Sequence, residues 1–148
     1  MKSSFLLAAL ALAFTTAHAM PGATQGANPH GKPAAAPVKV EKVAKAAAAD
    51  AKTVEEVIAG RAALKDKSVT LRGQVVKVTS GVMNKNWVHL QDGSGSSAKG
   101  THDIVLTTTD EVAVGTVVTA QGTVRTDVNI GAGYAYEVLV EGAKLKKS

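Results

Sequence analysis

The chain has no cysteine, so disulfides and thiolate chemistry are both excluded. Aromatic residues are scarce, at 3% of the 148 residues. Phe5 and Phe14 both lie in the first apolar run, which leaves Trp87, Tyr134 and Tyr136 for the rest of the chain. A folded core here has to be built from Val, Leu, Ile and Ala. Proline is confined to positions 21, 29, 33 and 37, so nothing after Pro37 carries a proline break. No apolar run reaches the roughly 20 residues that a membrane-spanning helix needs. No G-x-S-x-G elbow surrounds Ser80, Ser94, Ser96 or Ser97. No carboxylate pair sits in an apolar setting that would split two pKa values. Gly93, Gly95 and Gly100 are not followed by a Lys and a helix, so a phosphate loop is unsupported. The chain is expected to be non-enzymatic and to need no cofactor.

What is present divides into three segments. Residues 1–19 hold Lys2, an apolar run from Phe5 to Phe14, and a small-x-small end at Ala17-His18-Ala19. That pattern reads as a secretory signal peptide cleaved after Ala19. The mature protein is therefore expected in a bacterial periplasm, with no membrane span and as a monomer. Residues 20–52 are rich in Pro, Ala and Lys, and read as a flexible leader. A solvated spacer helix is expected over Val38–Ala51 on propensity; a basic arm for a polyanion or membrane surface is the sharper alternative. Lys32, Lys39, Lys42, Lys45 and Lys52 face only Glu41 and Asp50 there, so most of the excess charge of +5 belongs to the leader.

Residues 53–148 read as the folded domain. Thr53-Val54-Glu55-Glu56 matches a capping box, and Gly60 can end the short helix it opens. From Val69 the apolar period becomes two: Val69, Leu71, Gly73 and Val75 share a face, then Val76 and Val78 continue on the other. Such a phase switch reads as a bulge or sharp bend. Gly73 removes a side chain where one strand crosses another. Further strands are expected at 87–91, 102–107, 117–124 and 134–140. In the last, Tyr134, Tyr136, Val138 and Val140 are expected on the inner face. Segments 81–86 and 125–133 read as loops, and 108–116 is too short for much of a helix.

Five short strands, the first long and bent, suggest a small closed barrel. The residues Leu71-Arg72-Gly73-Gln74-Val75, Leu90-Gln91-Asp92-Gly93-Ser94-Gly95 and Gln121-Gly122-Thr123-Val124 resemble the OB-fold. The chain is similar over about 66–145 to small exported bacterial OB-fold proteins of the nucleic-acid-binding, tRNA-anticodon-like superfamily. The fold class expected is thus all-β: a five-stranded OB-fold barrel preceded by a short helix. The resemblance implies a binding face over the second and third strands, between loops 81–86 and 125–133.

With Val88 and Leu90 inward, Trp87, His89 and Gln91 would face that site. Trp87 would be a stacking platform, Lys85 and Lys77 cations, and Asn84, Asn86, Asp127 and Asn129 hydrogen-bonding partners, with Tyr134 at the open end. Each has a plainer reading: Trp87 as packing, His89 as a satisfied surface histidine, the tyrosines as barrel packing. His89, His102 and Asp103 fall short of the ligand count and spacing of a zinc site, so no metal is expected. The function expected is binding of a small ligand or a periplasmic partner protein. Single-stranded nucleic acid or an oligosaccharide is the alternative that the resemblance implies. A structural accessory of a periplasmic complex is the third.

Overall fold

A computed structural model describes residues 39–148. The expected signal peptide and the expected leader through Val38 lie outside the described residues. The described chain is mostly β-structure: β1 (Ala51–Lys52), β2 (Ser68–Val82), β3 (Lys85–Gln91), β4 (Ile104–Thr108), β5 (Val117–Gly131) and β6 (Tyr134–Lys147). The helices are short: α1 (Val54–Ala59), α2 (Arg61–Leu64) and one 3-10 turn at Ser97–Lys99. None of these is long and apolar enough to cross a membrane.

The sheet order is β1-β2-β3-β4-β6-β5, and β5 also pairs with β2. Five strands thus form a hydrogen-bonded ring, with the two-residue β1 added parallel to β2. One strand, β2, serves both halves: Ser68–Gln74 pair with β5, and Gln74–Val82 pair with β3. The expected bend lies where the phase switches, with a register shift between Val75 and Lys77. At Gly73 an added Cβ would lie 2.7 Å from the Gln91 carbonyl and 2.9 Å from Leu90 Cγ. The missing side chain is what lets β2 and β3 cross so closely.

Inside the ring the buried cluster is wholly aliphatic and includes Leu71, Leu90, Ile104 and Leu106. Each such side chain contributes about 1.5–3 kcal/mol on burial. Helix α1 closes one end, burying Val54, Val57 and Ile58. Its capping box forms as expected: Thr53 Oγ1 accepts from the Glu56 amide at 3.1 Å, and the Thr53 amide donates to Glu56 Oε2 at 2.8 Å. A second anchor comes from across the chain. Buried Asp92 accepts the Val54 amide at 3.0 Å through Oδ2, and the Ser94 amide at 2.9 Å through Oδ1.

Four expectations need correction. The helix over Val38–Ala51 is absent; residues 39–46 are irregular and 51–52 form β1. This part of the leader lies against the ring instead, with the Val43 amide donating to the Asp92 carbonyl and Arg72 to the Ala44 carbonyl. Tertiary hydrogen bonds outweigh the weak helix propensity of an Ala/Lys run with little apolar face. The segments 81–86 and 125–133 are not open loops but the ends of two long hairpins, each closed by a two-residue turn. Met83-Asn84 and Ala132-Gly133 all have positive φ, as such tight turns require. Tyr134 is 55% exposed and Tyr136 lies outside the inner core, so only Val138 and Val140 face inward. The strand expected from 102 begins at Ile104, so His102 precedes β4, and the cross-strand partner of His89 is Val105.

Candidate functional site

Strand alternation places Trp87, His89 and Gln91 opposite the fully buried Val88 and Leu90, as expected. Trp87 is nevertheless only 7% exposed. It belongs to a second apolar cluster on the outer face, with Val105 and Leu139, and Val128, Ile130 and Tyr136 pack against it. Tyr136 covers one side of the indole, with ring centroids 5.5 Å apart and planes 22° apart. The indole Nε1 donates to the Val82 carbonyl at 3.0 Å. Trp87 therefore acts first as the post that joins the two hairpins.

Beside this cluster lies a cavity of about 340 Å³. Met83, Lys85 and Trp87 line it from the β2–β3 hairpin, and Arg125, Val128, Ile130, Leu139 and Glu141 from the β5–β6 hairpin. Thr107 of β4 completes its wall. Arg125 and Val128 are three residues apart and would face opposite sides of a regular strand. Asp127 between them takes φ 55°, a departure from regular strand, and both Arg125 and Val128 line the cavity. Met83 reaches the rim from a left-handed position, φ 53°, and is 63% exposed. A non-glycine residue held there costs on the order of 1–3 kcal/mol.

The polar side of the cavity is an ion cluster. Glu141 accepts from Arg125 Nε at 2.9 Å through Oε2 and from Lys85 Nζ at 3.4 Å through Oε1. The Arg125 guanidinium also pairs with Asp66. The hydrogen bond from Arg125, then that from Lys85, holds the Glu141 carboxyl below the usual carboxylate range against some desolvation. Glu141 and Asp66 in turn raise the Arg125 pKa.

The other sequence candidates disperse. Lys77 is exposed and sits opposite His89 in the ladder, away from the cavity lining. His89 Nδ1 lies 2.7 Å from Asp103 Oδ1, and Gln91 donates to Asp103 Oδ2 at 2.9 Å. Among the described residues no group of three or more His, Cys, Asp or Glu is placed to hold a metal. Asn84 is at the exposed hairpin turn, and Asn86 donates to the Asp110 carbonyl at 3.0 Å. Asn129 Oδ1 accepts the Gly131 amide at 2.9 Å, shaping the second turn. Asp127 is exposed, as is Tyr134. Of the sequence candidates, the cavity brings together Trp87 and Lys85. Arg125, Val128 and Ile130 of the lining were hidden because segment 125–133 reads as a loop, and Leu139 and Glu141 because the sequence does not show what packs on the outer face of the last strand.

No protein-family model matches the chain, and no curated protein does. Six chains among solved structures match it. One is described as an aspartyl-tRNA synthetase from Leishmania major Friedlin, at 21% identity and a TM-score of 0.43. The match covers 65% of this chain and 19% of that one, so this chain spans less than a fifth of that protein's length.

Proposed function

We propose that this protein is an exported, non-enzymatic binding protein whose five-strand ring is an OB-fold barrel. Three features support the fold reading: the ring order, the bent β2 shared between both halves, and two long hairpins reaching out on one side. One observation carries the binding reading. The ends of both hairpins converge on a single cavity beside Trp87. Its volume falls at the lower end of the roughly 300–1,000 Å³ typical of ligand pockets, so it suits a small molecule or one side chain of a partner. The periplasm remains the compartment we assign, from the signal-peptide pattern of residues 1–19.

A second reading, single-stranded nucleic acid, is favoured by one feature. Lys77 is the cross-strand partner of His89, which shares a β3 face with Trp87 and Lys85. Stacking of bases needs an open aromatic face, and Tyr136 already covers one side of the only indole. We therefore rank this reading second. Amide shift mapping of the mature chain separates the two. Small organic fragments should move the amides of residues 83–87, 125–130 and 139–141. Oligothymidylate should instead move those around Lys77 and His89, with steep salt dependence. Silence at the cavity with every fragment refutes the first reading. For export, the mature protein should begin at Met20; an intact N-terminus in the periplasmic fraction refutes the cleavage.

A further inference from the structure

The bonding of the ion cluster says which polar group a ligand in this cavity would carry, on the reading that the cavity is a binding site. Both oxygens of Glu141 are occupied, one by Lys85 and one by Arg125. Their donors are not used up. Lys85 makes one long bond, at 3.4 Å, and its ammonium keeps further N–H groups. Arg125 uses Nε and Nη1, which leaves Nη2 without a partner among the described residues. Thr107 Oγ1 accepts the Gly142 amide at 3.1 Å, and its hydroxyl proton is still there to donate. Trp87 Nε1 is spent on Val82. The wall therefore carries two cations with N–H groups to spare against one carboxylate that both already engage. The rest of the lining is apolar: Trp87, Val128, Ile130, Leu139 and Met83.

We propose that the cavity takes a small branched or aromatic group carrying a carboxylate. The apolar part lies against Trp87, Val128, Ile130 and Leu139, and the carboxylate against Lys85 and Arg125. An ammonium ligand would have to compete with Lys85 and Arg125 for Glu141 and would sit beside both cations. A neutral ligand would leave the donor excess unanswered. The same chemistry has two sources, a free small carboxylic acid or the C-terminal residue of a peptide.

The test uses the mature chain and the emission of Trp87, its sole tryptophan. The probes share one skeleton: isocaproate, isohexanol and isohexylamine. Isocaproate should bind about tenfold tighter than the alcohol, with no response to the amine, since charge-assisted bonds are roughly twice as strong as neutral ones. Added salt should weaken the acid more than the alcohol. Lys85→Met should collapse the acid-over-alcohol preference, with the urea midpoint confirming that the variant is folded.

Equal binding of acid and alcohol, or any preference for the amine, overturns the carboxylate assignment while leaving the cavity as a site. Silence with all three probes overturns the binding reading and this inference together. The peptide Ala-Ala-Leu, with free and with amidated C-terminus, then separates the sources. Tighter binding of the free-terminus peptide than of isocaproate assigns a peptide end, and the reverse assigns a free acid.

Discussion

Asp92→Ala probes how α1 is held to the sheet. The Asp92 carboxylate sits at the end of β3, 3% exposed, and accepts the amide of Val54 at the first position of the helix. Val54 is fully buried, so no water replaces the lost acceptor. An orphaned buried N–H costs about 1–3 kcal/mol. Loss of the bonds from the Ser94 amide and hydroxyl, at 2.9 and 2.6 Å, adds less because water can reach that side. The total expected is about 2–3 kcal/mol, a large share of the roughly 5–15 kcal/mol a domain has. For a domain of this size it lowers the midpoint temperature by about 8–12 °C. Asp92→Asn keeps an acceptor for Val54 but turns an amide N–H toward the Ser94 amide, so about half the loss is expected. Urea unfolding followed by Trp87 emission measures both, with an unchanged m-value. A loss under about 0.5 kcal/mol in Asp92→Ala, or equal losses in the two variants, would refute the reasoning.

Gly73→Ala should destabilise by about 1–3 kcal/mol, because the new Cβ meets the backbone carbonyl of Gln91 and not a movable side chain; calorimetry showing no change would contradict the close crossing. Thr53→Ala should cost about 0.5–2 kcal/mol through loss of the capping box, read as a lower urea midpoint. Met83→Gly should raise stability by about 1 kcal/mol by relieving the left-handed turn, while weakening binding of apolar fragments in the cavity it rims. Glu141 has a folded pKa below its ordinary value, so its ion pairs stabilise the fold above the usual carboxylate range and are lost as pH falls through the folded value. Glu141→Gln should therefore flatten part of the acid limb of the pH–stability curve. The change should be only tenths of a kcal/mol, since the side chain is 39% exposed; an unaltered acid limb would remove Glu141 from the account.

Local chemistry fixed a good deal of this protein in advance. The aliphatic core follows from there being only three aromatics after Phe14, the cap on α1 from Thr53 and Glu56, and the bend in β2 from the phase change at Val75–Val76. Each depends on residues within a few positions of one another, so spacing alone reveals it. The partnerships across long separations were not legible. Lys85 meets Glu141 56 residues away, and Val54 meets Asp92 38 residues away. Glycine-rich stretches read as loops became hairpin ends, because a two-residue turn and a loop carry the same residue types until pairing is known. Whether Trp87 lay open or covered was decided by where the β5–β6 hairpin folds back, which brings Val128, Ile130, Tyr136 and Leu139 against it. Pattern determines which face of a strand is apolar; only closure of the chain determines what comes to rest against the other face.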